Sequence, residues 1–159
     1  MDTSVERIEL ELTIDRLYEA FDAYPLEERI DCCPHCELDA AERRLHLRPL
    51  RELTWADLGI FAFKALTNFG DADDFRHFLP RLLELYVLDH SGAPHTLFML
   101  FEKLNAAKWT NWPADEVAAI RRFIDAWKRV LTTQARESED GAWELDELGG
   151  AISVLWQRP

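Results

Sequence analysis

No run of about 18 apolar residues occurs in the 159-residue chain, so no segment is built to span a bilayer. The start, MDTSVERIELELTIDRLYEAFDAYP, lacks the basic residues and the continuous apolar stretch of a secretory signal. A cytoplasmic location is therefore expected. Strand signals are missing too. No stretch alternates apolar and polar residues over five or more positions, and Asp140-Gly141 has no β-branched run on either side. Basic residues are scarce: 18 Lys and Arg stand against 30 Asp and Glu, for a net charge of −12. Such a field repels nucleic acid and anionic membranes, so neither is expected as a partner. No nucleophile-elbow serine, phosphate loop or dinucleotide fingerprint is present. Cysteine is rare, and all three copies fall within five residues. In a reducing compartment that spacing argues against a structural disulfide framework and for metal binding, redox chemistry or simple packing.

What the chain does have is helical periodicity. Leu10, Ile14, Leu17, Phe21 and Tyr24 make one stripe along residues 4–24, which Pro25 ends. Leu38, Ala41 and Leu45 would share one side of a helix over 34–47. In PLRELTWADLGIFAFKALTNFGD, Thr54 is an N-cap with Asp57 at the third position of a capping box. Trp55, Leu58, Phe61, Ala62, Ala65, Leu66 and Phe69 follow on one face, and Gly70 is the stop. Acidic residues at 71–74 open the next helix, in which Pro80 predicts a kink or a break. A helix over 95–107 comes next. TNWPADEV then starts another, with Val117, Ile120, Phe123, Ile124, Trp127 and Leu131 on its buried side. A short last helix is expected within 142–156, weakened by Gly149-Gly150. The expected fold is all-α: a single helical domain over 1–159 with six to eight antiparallel helices. They would form a compact bundle or a short paired-helix array of the HEAT type. The array finds an echo in FKALTNFGDADDF and FEKLNAAKWTNWP, about forty residues apart.

The stretch RIDCCPHCELD, residues 29–39, carries the candidate chemistry. Pro34 suits a first helical turn, which would make Cys33 the N-cap and place Cys36 three residues in. A thiol there feels the positive end of the helix dipole. Redox dithiols and metal knuckles share that geometry. A zinc site would use Cys33 and Cys36, with Cys32 and His35 as adjacent candidates. Otherwise His77, His90 or His95 would have to arrive through the fold, or a second subunit would have to contribute. The cofactor expectation is none or zinc. The third possibility is a thiol cluster that packs a helix start.

Two resemblances attach to these residues. Cys33-Pro34-His35-Cys36 resembles the active-site motif of the periplasmic disulfide oxidases of the thioredoxin fold. That resemblance implies Cys33 as nucleophile and Cys36 as resolving thiol. It covers four residues, and this chain has neither the preceding strand nor the βαβ context. CPHC with the downstream RPLRELTWADLGIFAFKALTNFGDADDFRHFLPRLLELY is similar to an uncharacterised family of helical bacterial proteins over roughly residues 33–134. Its most distinctive part is GDADDFRHFLPRLLEL. This resemblance implies a helical fold and brings no activity with it.

Other groupings have simpler readings. Glu11, Asp15, Glu19 and Asp22 read as a solvated acidic face. His77, Arg81 and Glu84, near Lys64 and the acids at 71–74, read as an anion or peptide site or as surface ion pairs. Arg121, Arg122, Lys128 and Arg129 form a basic flank on an acidic chain. Trp109 and Trp112, in the loop KWTNWP, would be its exposed apolar anchors. The function expected from this is non-enzymatic binding to another protein, or self-association, through Trp109, Trp112, Arg122 and Arg129. The size and acidity match immunity or antitoxin proteins. The alternative is a thiol-redox or zinc-dependent protein centred on Cys33 and Cys36.

Overall fold

The computed structural model describes residues 3–155. Its seven α-helices are α1 (Thr3–Ala20), α2 (Asp39–Arg44), α3 (Trp55–Lys64), α4 (Ala72–Leu88), α5 (Leu97–Ala106), α6 (Ala114–Ala135) and α7 (Glu139–Leu155). Short 3-10 turns lie at Leu50–Glu52 and Trp109–Asn111. Among the described residues there is no strand, only isolated bridges such as Cys32 to Phe69. No described helix is long and apolar enough to cross a membrane.

The apolar stripes become one continuous core. Leu10, Ile14 and Leu17 of α1 are buried against α6 and α4. α1 ends four residues before Tyr24. Phe21 still donates to Leu17, but the chain then loosens into a turn ahead of Pro25, which disfavours helical geometry in the residue before it. α3 starts as its sequence indicates, with the Asp57 carboxylate accepting the Thr54 amide at 3.0 Å. It stops at Lys64, earlier than its stripe runs, because Ala65 leaves helical geometry with ψ 142° and Leu66 after it is left-handed with φ +69°. Phe69 nevertheless reaches the core and meets Phe61 edge-on at 5.3 Å. α4 begins on a reciprocal Asp71–Asp74 capping box and does not break at Pro80. The proline ring is itself buried, so packing holds the turns on either side of the missing amide bond. α7 is longer than expected: it starts at Glu139 and carries Gly149 and Gly150 inside it.

The contacts close on themselves. α1 packs on α6, α6 on α7, α7 on α5, α5 on α3, α3 on α4, and α4 on α1, while α2 lies against α3. A linear array has contacts between neighbouring repeats only, so the closed bundle takes the place of the paired-helix array. Polar links also cross the bundle. Arg81 and Glu84 are not surface ion pairs. Both side chains are largely buried and pair at 2.5 Å, with Arg81 donating to the Leu53 carbonyl and Tyr18 donating to Glu84 at 2.7 Å. The His77 ring bonds the Tyr24 carbonyl oxygen at 2.8 Å. That trio therefore ties α4 to α1 through Tyr18, and to the segments that follow α1 and the Leu50–Glu52 turn through Tyr24 and Leu53.

Candidate functional site

The cysteine segment is held from both sides by backbone pairing. Ile30 is fully buried and donates its amide to Glu42 of α2 at 3.1 Å. Cys33 then donates to the Asn68 carbonyl at 2.8 Å, and Gly70 donates back to Asp31 at 2.7 Å. These two bonds flank the Cys32–Phe69 bridge and clamp the segment to the α3–α4 connection. Gly70 has φ +72° there, and an added Cβ would lie 3.0 Å from Asp74, so the position needs glycine.

The expected helix over 34–47 is split. Residues 34–37 form one turn, closed by the Cys36 amide on the Cys33 carbonyl at 3.2 Å. Glu37 is left-handed with φ +52°, which stops the turn, and α2 starts afresh at Asp39. Cys33 is therefore not a helix N-cap and has no long helix dipole behind it. Local donors act in its place. The neighbouring Cys36 thiol first, and the polar backbone of the turn at His35 second, hold the Cys33 thiol below the ordinary cysteine range. Cys36 is pushed up, first by the bond it gives Cys33 and then by desolvation. The Asn68 amide lies 3.6 Å from the Cys36 sulfur. Both thiols are free and partly exposed. Cys33, Cys32 and Asn68 line an open cleft of about 290 Å³ with Asp31, Asp71 and Asp74. Burial raises the Asp74 carboxyl to about 6 against the pull of the Asp71 amide.

The metal expectation meets a shortage of donors. Among the described residues no group of three or more His, Cys, Asp or Glu side chains is placed to hold an ion. Cys32 is half-buried in the bridge and His35 is exposed, and neither completes a set with Cys33 and Cys36. The distant histidines are committed elsewhere: His77 to Tyr24, His90 to Glu147 at 2.6 Å, and His95 to the Gly59 carbonyl at 3.1 Å. A closed zinc site takes four ligands, and the residues brought together here do not fit one.

The expected partner surface separates into two halves. Trp109 and Trp112 are not exposed: they keep 1% and 7% of their surface. Lys108 is left-handed with φ +55°, which turns the chain back after α5 and directs both indoles inward. Trp112 donates to the Ala107 carbonyl and meets Phe21 edge-on at 5.9 Å. They are core residues and cannot anchor a partner from this position. Arg122 and Arg129 are exposed as expected, and Arg129 lies 3.7 Å from Glu9 of α1. A different apolar surface was missed. Val5, Ile8 and Leu12 are each more than half exposed, on the face of α1 opposite Leu10, Ile14 and Leu17. Their spacing of three and four residues is the sequence signal of a second stripe on this helix.

The chain matches no protein-family model, no curated protein and no solved structure. What the site can do is read from its geometry.

Proposed function

We propose that the protein carries out thiol–disulfide exchange through Cys33 and Cys36. The observation that carries this reading is the pair itself: two free, partly exposed thiols on one tight turn closed by the Cys36 amide on the Cys33 carbonyl, with Cys33 pushed down and Cys36 up. That division suits an attacking thiolate and a resolving thiol, and it needs no third ligand. The Cys33 thiolate attacks one sulfur of a small disulfide and expels one thiolate. Cys36 loses its proton to solvent and attacks the Cys33 sulfur of the mixed disulfide, which closes the intramolecular bond and expels the second thiolate. Two protein thiols are oxidised and one external disulfide is reduced to two thiols.

The reading is tested with iodoacetamide and glutathione disulfide. The pH profile of Cys33 alkylation should have its midpoint below that of an ordinary thiol. Cys36→Ala removes the hydrogen-bond donor, so the midpoint should rise and the rate at neutral pH should fall. Glutathione disulfide should yield a Cys33–Cys36 disulfide in the wild type, and a stable mixed disulfide on Cys33 in Cys36→Ala. A Cys33 midpoint at or above the ordinary value, or a pair that never closes, would rule the reading out.

The exposed Val5, Ile8 and Leu12 stripe favours a second reading, a protein-docking surface in place of the buried tryptophans. Arg129 pairs with Glu9 at the edge of this face, so apolar and basic contacts could be offered together to an acidic partner. Ile8→Glu and Leu12→Glu should leave thermal stability unchanged, because neither side chain is packed. They should abolish association with a partner that uses this face. A loss of stability in both variants would place the stripe in the folded core and remove the reading.

A further inference from the structure

The cleft of about 290 Å³ beside the dithiol is lined by Cys33 and not by Cys36. The thiol assigned the attack opens onto it, so the half of a disulfide that becomes bonded to Cys33 has this space to occupy. Apart from the Cys32 and Cys33 thiols, every ionisable side chain in the lining is a carboxylate: Asp31, Asp71 and Asp74. Its neutral polar side chains are engaged elsewhere. The Thr67 hydroxyl donates to the Lys64 carbonyl at 3.0 Å, and the Asn68 amide is directed at the Cys36 sulfur.

The fold fixes these acids in place. Asp71 and Asp74 each accept the other's amide at 2.9 Å in the capping box of α4. Asp31 is exposed, and its backbone is clamped by the bond its carbonyl accepts from Gly70. Asp74 is buried. That burial first, with the Asp71 and Glu27 charges added, raises its carboxyl to about 6 against the pull of the Asp71 amide, so it is ionised in mild alkali. The nearest positive charges lie outside the lining. Lys64 acts on Cys36, where it favours the thiolate, and Arg29 is taken up by Asp39 at 2.8 Å and Glu42 at 4.0 Å. Carboxylates gathered in a cleft focus a negative potential on whatever approaches Cys33. A disulfide carrying carboxylates is repelled there, and one carrying an ammonium is drawn in.

We infer that the preferred oxidant of the dithiol is a small disulfide bearing an ammonium group within a few bonds of its sulfur atoms. The inference rests on the thiol–disulfide exchange reading and names its substrate class. The Cys33 thiolate attacks one sulfur, the external S–S bond breaks, and the first aminoalkyl thiolate leaves with the electron pair. The half retained on Cys33 lies in the cleft with its ammonium against Asp31, Asp71 and Asp74. Cys36, its proton lost to solvent, then attacks the Cys33 sulfur and expels that half as the second thiolate. The protein dithiol is oxidised and one disulfide is reduced to two aminothiols. The thiols react, and the carboxylates select what they react with.

Three disulfides with the same two-carbon arms test this on the reduced full chain: cystamine, hydroxyethyl disulfide and dithiodipropionate. Closure of the Cys33–Cys36 bond is timed in mild alkali by acid quench and mass spectrometry. Each rate constant is divided by that of free mercaptoethanol with the same disulfide, which removes the differences between leaving thiolates. On this scale cystamine should exceed dithiodipropionate by at least about tenfold, with the diol between them, and high salt should compress the range. Glutathione disulfide, a net anion, should reach the same end point slowly. Asp31→Asn alters an exposed side chain and Asp71→Asn keeps a helix cap, so both should fold. In each, the ratio of cystamine to the diol should fall by about twofold or more, and any change in the Cys33 thiolate fraction cancels from that ratio. Asp146→Asn takes the same charge from α7, outside the lining, and should leave the ratio unchanged. Failure of all three disulfides to close the pair would remove the exchange reading and this inference with it. Closure at equal scaled rates, or a cystamine advantage that survives both Asp31→Asn and Asp71→Asn, would overturn this inference alone and leave exchange standing.

Discussion

Alanine at position 42 should lower stability by about 2–4 kcal/mol, far more than an exposed helix carboxylate would. Glu42 lies on a six-residue helix too short to hold itself together, and only 4% of its surface is exposed. It accepts the buried Ile30 amide at 3.1 Å and meets the His46 ring at 2.5 Å, with Arg29 at 4.0 Å. Removal orphans the Ile30 amide inside the protein, which accounts for most of the loss. The exposed Arg29 contributes little. Glu42→Gln keeps an acceptor for that amide and should lose clearly less. The pH dependence follows from direction. Burial pushes the Glu42 carboxyl up, but the Ile30 amide, His46 and Arg29 outweigh it and hold the group below the ordinary glutamate range. A carboxylate depressed by folding stabilises the protein above its unfolded pKa, and that contribution is lost as pH falls through the folded value. The gap between wild type and Glu42→Ala should therefore narrow in acid. Urea unfolding at neutral pH and at pH values below the glutamate range measures both effects. Equal stability of the two proteins at neutral pH would show that Ile30 finds another partner. Because Ile30 leads directly into the Cys32–Phe69 bridge, hydrogen exchange at the Cys33 amide should speed up in the same variant.

Alanine in α7 should act in opposite directions at its two ends. At Gly141 an added Cβ would lie 2.7 Å from the backbone carbon of Gln134 and 2.8 Å from its carbonyl oxygen. Both atoms belong to the last turns of α6, so no side chain can swing aside, and α7 must shift off α6. The Ser138 hydroxyl also accepts the Gly141 amide at 3.0 Å, and that shift would break the bond. Gly141→Ala should lose about 2 kcal/mol or more. Gly149 and Gly150 are exposed inside the same helix, with nothing within 4 Å of an added Cβ. Alanine there removes backbone entropy from the unfolded chain, and each replacement should gain up to about 1 kcal/mol. Thermal unfolding of the three variants should give one lowered and two raised midpoints. A Gly141→Ala protein as stable as wild type would mean that the α6–α7 corner is not closely packed.

The helices were legible in the sequence because their causes are local. The stripe of α6 and the capping pairs Thr54–Asp57 and Asp71–Asp74 act over three or four residues, and the structure keeps each of them. Two of the helix boundaries that moved did so beside left-handed residues, Leu66 and Glu37, which carry no glycine-like signature. The two thiols were legible as a pair, since Cys33 and Cys36 are neighbours across one turn. Their surroundings were not. Asn68 lies 32 residues away from Cys36, and the Cys32–Phe69 bridge exists only once α3 and α4 are placed. The tryptophans show the same division. Their number marked them as core or interface, and the left-handed turn at Lys108 decided for the core. α1 carries apolar residues on two opposite faces, and periodicity alone ranks neither above the other. α6 and α4 cover one face and leave Val5, Ile8 and Leu12 in solvent. His90 and Glu147 stand 57 residues apart and share no motif. Short-range sterics and hydrogen bonding thus determined the helices, their caps and the dithiol turn from sequence alone. Which faces remain open and which distant side chains meet are decided by contacts between remote segments, and only the closed packing of the bundle brings those about.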